Sequence, residues 1–150
     1  MANIAQKSID TLKTAILDSI DKAKKEGKLA DIPTPDFIIE VPADKKNGDL
    51  ATNVAMACAR AFKTSPRNIA QTITENLSLE NTYVDKLEIA GPGFINFFFK
   101  QSYYSDVIKA IEDEKENYGK SSYGEGKRIL IEFVSANPTG PMHIGNARGG

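Results

Sequence analysis

The final 22 residues of the chain, Ile129 to Gly150, restrict its fold more than any other segment. Ile129 to Val134 is an apolar, β-branched run typical of a fully buried strand. A turn rich in Pro and Gly follows, and the stretch from His143 to Asn146 has the pattern of a helix start. A strand, a turn, a glycine and a helix open the nucleotide-binding sites of α/β proteins. The sequence therefore predicts the first strand and helix start of a Rossmann-like α/β domain here.

The size and composition of the chain limit what else it can contain. Its 150 residues fit one domain, or one domain plus a fragment, and an apolar content of 41% is enough for a packed core. The net charge of -1 means that any contact with nucleic acid must come from a local basic patch. A single cysteine, Cys58, excludes an internal disulfide and a cysteine-cluster metal site, so we expect no bound metal. No signal peptide or membrane-spanning stretch is visible, which predicts a cytoplasmic protein with no membrane contact.

The first 120 residues mix helical and strand patterns. Apolar residues at helical spacing predict a long first helix that ends near Gly27, and Ser65-Pro66 predicts the start of another. Phe37 to Val41 is predicted to form a short strand, and Asp49 is predicted to cap the helix that begins directly after Asp49. The patterns predict an α+β domain over 1–120, with a small antiparallel sheet packed against helices, a linker over 121–127, and the start of an α/β domain over 128–150.

A predicted hairpin joins residues 86–90 to residues 94–100 through Gly-Pro-Gly. Strand alternation places Phe94 and Asn96 on the same face, where an aromatic ring could stack on a base and an amide could read its edge. The alternative is that the phenylalanines cover a second small core and that Asn96 satisfies the backbone. A separate basic cluster on a predicted helix and just after it could meet phosphates, although a solvated helix face explains it equally well: Arg60, Lys63 and Arg67.

His143 is the only histidine of the chain, and a lone histidine is more often structural than catalytic. Its position after a strand and a Gly-Pro turn favours a functional reading, because the start of a helix presents free N–H groups and a partial positive charge. Gly145 would allow a ligand to approach the backbone closely. We therefore expect His143 to donate a hydrogen bond to the phosphate of a nucleotide.

Three segments carry a family resemblance. Residues 135–146, SANPTGPMHIGN, resemble the extended nucleotide-binding signature of arginyl-tRNA synthetases, which are class I aminoacyl-tRNA synthetases. Upstream, residues 48–56 (GDLATNVAM) and 88–97 (EIAGPGFINF) are similar to the N-terminal appended domain of the same family. The resemblance covers nearly the whole chain in the family's order. It implies an appended tRNA-binding domain followed by the start of the catalytic domain.

The resemblance also implies roles for individual residues. His143 and Asn146 match the two signature histidines, which stabilise the phosphates of ATP; Asn146 departs from the pattern, and its amide cannot carry a positive charge. Gly140 and Gly145 match positions where the backbone lies close to the nucleotide. Positions near the arginine substrate are matched by Glu132, Ser135 and Asn137, where Glu132 could equally be an ordinary strand residue. Phe94 and Asn96 match residues that contact the D-loop at the tRNA elbow.

The family reaction activates arginine with ATP and transfers the arginyl group to tRNA(Arg). ATP enters as a substrate with Mg2+, without a tightly bound cofactor, and the full-length protein is expected to be a monomer. This chain carries neither the family's second, lysine-rich loop nor its anticodon-binding domain, so the 150 residues alone are predicted to be inactive. Two alternatives stay open: a free-standing RNA-binding module, and a nucleotidyltransferase that acts without RNA.

Overall fold

The computed structural model describes residues 4–122, 124–134, 136–137 and 140–149 of the chain. It divides into two compact units, residues 2–118 and residues 119–150. The first unit holds every α-helix and every β-strand found in the described residues. The assignment of a tRNA-binding role to one part of the chain and a catalytic role to the other stays a prediction.

The first unit contains four helices, and local sequence explains most of their boundaries. They are α1 (Ile4–Lys25), α2 (Val54–Phe62), α3 (Pro66–Asn76) and α4 (Gln101–Glu114). The predicted start at Ser65-Pro66 is confirmed, because the Ser65 hydroxyl accepts a hydrogen bond from the Asn68 N–H and Pro66 is the first helical residue. α1 also runs as predicted and ends just before Gly27, which has a positive φ of 72°.

Four strands form one antiparallel sheet in the order β1-β2-β4-β3. They are β1 (Ile39–Glu40), β2 (Leu50–Thr52), β3 (Val84–Ala90) and β4 (Phe94–Phe99). The predicted hairpin is confirmed as β3 and β4, and the predicted α+β class of this unit with it. A strand is predicted over Phe37 to Val41, but β1 is shorter and contains only Ile39 and Glu40.

One face of the sheet and three helices enclose the core. Ile95 and Phe97 of β4 are fully buried, as are Ile16 of α1 and Ile69 and Ile73 of α3. Each such side chain contributes about 1.5–3 kcal/mol through removal of its apolar surface from water. The core therefore fixes which face of β4 points inward, and the alternating residues must lie on the other face.

The structure corrects the prediction that Asp49 caps the second helix. Residues 50–52 form the buried strand β2, and the N-cap of α2 is Asn53. The Asp49 carboxylate instead accepts hydrogen bonds from the Phe99 N–H at 2.7 Å and from the Tyr104 hydroxyl at 2.6 Å. A three-residue strand that runs directly into a helix carries too little alternation to be recognised, and only its pairing with β1 and β4 defines it.

The second unit also requires a correction. The predicted buried strand from Ile129 to Val134 is irregular and largely exposed, with Leu130 98% and Phe133 69% accessible. A strand needs a neighbour to satisfy its backbone groups, and the described residues of this unit contain no second strand. The start of a Rossmann-like domain is therefore not confirmed. The helix start at His143 is present as a 3-10 helix, Ile144–Gly149.

Candidate functional site

The face of the sheet that points away from the core, called the outer face below, carries the residues predicted to contact RNA. It presents Phe94, Asn96 and Phe98 from β4 and, directly opposite them on β3, Ala90, Glu88 and Lys86. The alternation predicted from the sequence is correct, because Ile95 and Phe97 between them are fully buried. The outer face therefore displays two aromatic rings with an amide between them.

Asn96 is recessed rather than freely exposed, with only 4% of its surface accessible. It faces Ala51 of β2 on one side and Glu88 of β3 on the other. It lines a cavity of about 230 Å³, called the Asn96 cavity below, together with Glu40, Pro42, Ala43, Asn47, Ala51, Ala90, Gly91 and Phe94. The sequence pattern predicts that Phe94 and Asn96 point outward side by side. In the structure the Phe94 ring is half-buried at the cavity, and the Asn96 amide lies inside it.

The Asn96 amide makes no hydrogen bond to any residue that the structure describes. None of its polar atoms is sealed away from solvent, because no fully buried polar side-chain atom in the described residues lacks a partner. The N–H and C=O groups of the amide are therefore available to a ligand in the cavity. It offers two donors and one acceptor to a ligand, and the methyl side chain of Ala51 opposite leaves room for one.

Glu40 and Asn47 also belong to this site, although the sequence pattern does not predict them as site residues. Glu40 lies opposite Ala51 in β1, so Glu40, Ala51, Asn96 and Glu88 form one row across the sheet. No sequence signal shows this row, because it depends on the unpredicted strand β2. Asn47 ends a 3-10 turn and precedes Gly48, whose φ of 89° marks a turn that the sequence pattern Asn-Gly does suggest.

The predicted cationic cluster, Arg60, Lys63 and Arg67, lies where α2 ends and α3 begins; we call it the basic corner. All three side chains are exposed, and none forms an ion pair with the described part of the chain. Lys63 caps α2 in a left-handed conformation with φ of 50°. The basic corner thus carries uncompensated positive charge on a protein whose net charge is -1.

Gly93 ties the basic corner to the hairpin that bears Phe94. Its φ is 142°, and a Cβ atom placed on it would lie 2.9 Å from Pro66 Cβ and 3.0 Å from the Pro66 carbonyl oxygen. Only glycine permits this approach of the hairpin turn to the first residue of α3. Arg67 follows Pro66 directly, so the basic corner and the mouth of the Asn96 cavity belong to one end of this unit.

A larger cavity, of about 560 Å³, lies beside α1 and is lined by Thr11, Asp18 and Lys22, among others. Apart from Ala15, its walls are formed by residues with alcohol, amide or charged side chains, and the charges have both signs. The walls include no aromatic ring, and none of the predicted site residues lies there. Volume alone does not identify a ligand site, and the smaller Asn96 cavity is the better candidate because its polar and aromatic groups converge.

The second unit brings four of the predicted nucleotide and substrate residues around one cavity of about 490 Å³. They are Asn137, Gly140, His143 and Asn146. Glu132 is exposed and does not line this cavity. Ser135 lies outside the residues that the structure describes.

His143 and Asn146 cap the 3-10 helix reciprocally. The Gly145 N–H donates to His143 Nδ1 at 3.0 Å, and the His143 N–H donates to Asn146 Oδ1 at 3.1 Å. This exchange is the pattern of a capping box, in which the cap and the third helical residue each satisfy a free N–H group. A Cβ atom on Gly145 would lie 2.7 Å from His143 Cε1, so glycine at that position allows the imidazole to sit over the helix end.

These capping hydrogen bonds determine which polar atoms of the two side chains remain available to a ligand. An Nδ1 atom that accepts a hydrogen bond carries no proton, so the neutral His143 ring bears its proton on Nε2. Asn146 uses Oδ1 in the cap and keeps its two N–H donors. The exposed His143 ring and the half-buried Asn146 amide therefore both present hydrogen-bond donors, which suit the oxygens of a phosphate.

Two further properties of the described residues limit their chemistry. They contain no group of three or more His, Cys, Asp or Glu side chains that could hold a metal ion. None of their helices is both long enough and apolar enough to cross a membrane.

Comparison with known proteins adds the family. Residues 10–99 match the family model described as the arginyl tRNA synthetase N terminal domain. The whole chain is 45% identical to 27% of the arginine–tRNA ligase of Acetivibrio thermocellus, and 47% identical to 27% of that of Ruminiclostridium cellulolyticum. The enzyme of the same name from Desulforamulus reducens is 49% identical over 98% of the chain and 26% of its own length. The chain thus spans about a quarter of the length of these relatives.

A solved structure supports the fold. The crystal structure of arginyl-tRNA synthetase from Plasmodium falciparum matches 69% of this chain and 18% of its own length with a TM-score of 0.55. The sequence identity is 20%, so this likeness concerns the fold alone.

Proposed function

The chain belongs to the arginyl tRNA synthetase N-terminal domain family, and on that premise we propose that it is the tRNA-binding N-terminal part of an arginine–tRNA ligase. The proposed role of residues 2–118 is to bind the D-loop at the elbow of tRNA(Arg). The relatives that carry the name arginine–tRNA ligase are about four times as long, so the ligase reaction itself is proposed for a protein of that length.

The observation that carries the proposal is the Asn96 amide, which is buried, has no partner in the described residues and opens into a cavity. The amide atoms reach solvent in the free protein, and a ligand in the cavity can replace that water and complete the two donors and the acceptor of the amide. An unpaired base offers both donors and acceptors on its edge, and bases of RNA loops are free to leave their stack. The cavity is too small for a duplex and suits one such base.

Phe94 and the basic corner complete the proposed site. A base inside the Asn96 cavity would stack on the half-buried Phe94 ring, which lines the same cavity. The phosphates on either side of that base would then lie near the basic corner, because Gly93 holds the hairpin against Pro66. Base contact and phosphate contact are thereby divided between two elements.

The test is the affinity of the 150-residue chain for tRNA(Arg), measured with Asn96→Ala and Phe94→Leu. We expect Asn96→Ala to weaken binding by roughly 5- to 100-fold, because a base loses its partner in the cavity. Two matched controls are available. Gln101→Ala removes an exposed amide from α4, and Phe99→Leu makes the same ring deletion on the opposite face of β4.

An affinity for tRNA(Arg) that neither Asn96→Ala nor Phe94→Leu changes would refute the elbow contact. Equal losses in the Phe99→Leu control would also refute it, since they would show that the sheet and not its outer face determines binding. Far-UV circular dichroism establishes that each variant is folded.

The cavity of the second unit is proposed as part of the site for ATP and arginine. The His143 Nε2–H and the Asn146 amide would donate to phosphate oxygens of ATP, with Gly140 and Gly145 close to the nucleotide. Glu132, Ser135 and Asn137 are the proposed arginine ligands. The α-phosphate would be attacked by the arginine carboxylate, with pyrophosphate leaving together with Mg2+ as the ion of the ATP substrate. These residues would act by positioning and charge stabilisation.

ATP–pyrophosphate exchange distinguishes a ligase from a free-standing RNA-binding module. In a protein as long as the relatives, we expect arginine-dependent exchange that falls by roughly 100-fold or more with His143→Ala, since a donor to developing charge is lost. The 150-residue chain alone is expected to show none. Exchange by the longer protein that is unchanged in His143→Ala would contradict the proposed phosphate role.

A further inference from the structure

We propose that Phe98, with Lys86 beside it, is a second base-stacking site on the outer face, which holds a second unpaired base of the same RNA. This inference rests on the proposed function, since it adds a nucleotide to the site formed by Phe94 and Asn96. Phe98 does not line the Asn96 cavity, so it would form a separate contact on the sheet.

The spacing of the two rings sets what they can hold. Phe94 and Phe98 point to the same face of β4 and are four residues apart, which corresponds to about 14 Å along an antiparallel strand. Stacked neighbours in a nucleic-acid strand rise only about 3.4 Å each, so the two rings cannot hold adjacent stacked bases. They fit two bases that a loop turns outward from different positions of its backbone.

Lys86 occupies the open face of the Phe98 ring. Its Nζ lies 4.3 Å from the ring centroid and 3.0 Å from a carboxylate oxygen of Glu88. Both charged side chains are more than half exposed, at 58% and 55%. An exposed pair of this kind has little net stability, so a base can displace the lysine from the ring at small cost. The displaced ammonium then lies beside the ring, within reach of the phosphate that accompanies the base.

The regular register of the hairpin places this cation. Lys86, Leu87 and Glu88 of β3 lie opposite Phe98, Phe97 and Asn96 of β4 without interruption. The pairing becomes irregular only beyond Lys86, where a β-bulge lies between Val84 and Lys86 and Val84 pairs with Phe99. Lys86 and Phe98 are therefore direct cross-strand neighbours on the outer face, so a cation lies beside the ring on which the second base would stack.

The experiment pairs single abasic sites in the D-loop of tRNA(Arg) with phenylalanine-to-leucine substitutions in the 150-residue chain. Phe98→Leu keeps an apolar side chain and removes the stacking surface. We expect it to weaken tRNA(Arg) binding by about fivefold or more. One abasic position should lose its effect in Phe98→Leu, and a different one should lose its effect in Phe94→Leu. Phe99→Leu on the buried side of β4 is the control and should leave the abasic profile of the unsubstituted chain.

The outcomes separate the two proposals. If Phe94→Leu and Asn96→Ala weaken binding but Phe98→Leu does not, the second stacking site is refuted and the elbow contact stands. The second site is refuted as well if Phe94→Leu and Phe98→Leu abolish the effect of the same abasic position. If none of the three substitutions changes the affinity, the proposed function itself fails. Lys86→Met in place of Phe98→Leu should lower the salt dependence of binding, a readout that loss of folding does not produce.

Discussion

The hydrogen bonds of Asp49 allow a prediction about what fixes α4 to the sheet. The carboxylate joins three elements, because Asp49 precedes β2, Phe99 ends β4 and Tyr104 belongs to the first turns of α4. Hydrogen bonds to charged groups contribute about 1.5–3 kcal/mol each. Tyr104 is 42% exposed, so competition with water lowers its share, and we expect Tyr104→Phe to reduce the free energy of unfolding by about 1 kcal/mol.

The pH dependence of this contact has a definite sign. The hydrogen bond to Asp49 raises the pKa of Tyr104 to about 12, because ionisation would break that bond and place a second negative charge beside the carboxylate. The pKa of tyrosine in the unfolded chain is near 10. Since the folded value is the higher one, the contact is fully stabilising below pH 10 and is lost as the pH rises toward 12.

Urea unfolding followed by far-UV circular dichroism measures the effect, since the chain has no tryptophan. The stability difference between the unsubstituted chain and Tyr104→Phe should shrink as the pH rises from 10 to 12. A double-mutant cycle with Asp49→Asn should give a coupling energy of about 0.5–1 kcal/mol at neutral pH. A difference that stays constant across this range, or a coupling energy of zero, would refute the reasoning.

Three other predictions concern separate features. Gly48→Ala should lower the free energy of unfolding by at least about 3 kcal/mol, because φ is 89° and the new Cβ would lie 2.5 Å from a carbonyl oxygen of β4. Chemical denaturation measures this change, and a loss under about 1 kcal/mol would contradict the prediction. Removing each cation of the basic corner should reduce the slope of log affinity for tRNA(Arg) against log salt by about 0.7–0.9, and an unchanged slope would exclude phosphate contact. Burial raises the pKa of the Cys58 thiol, so its reaction with a disulfide reagent should follow global unfolding rather than the pH-dependent rate of an exposed thiol.

Local signals predicted α1 and α3 well but not the start of α2, and nonlocal pairing explains the failures. The helices α1 and α3 follow from apolar spacing and caps, which act within a few residues. β2 was missed because its three residues are defined by neighbours at positions 39–40 and 95–97. The run from Ile129 to Val134 shows the opposite error, since its composition favours a strand but no partner strand exists among the described residues of its unit.

The candidate site was predicted in part for the same reason. Alternation along β4 correctly placed Phe94, Asn96 and Phe98 on one face. The depth of Asn96 could not be predicted, because it results from the strands on either side of β4. The reciprocal cap of His143 and Asn146 is local and follows from their spacing, although the sequence pattern had suggested phosphate contact alone.

The close packing of Gly93 on Pro66 has a consequence for the kinetics of the proposed RNA binding. It holds the separation between the cavity and the cations constant before any RNA arrives, so the protein has little conformational entropy to lose on association. In the proposed complex the adjustment would fall on the RNA, whose loop would have to unstack in order to fit a protein site of fixed dimensions. Loops that already hold their bases outward in solution should associate fastest, and the rate for the others should follow how often they open.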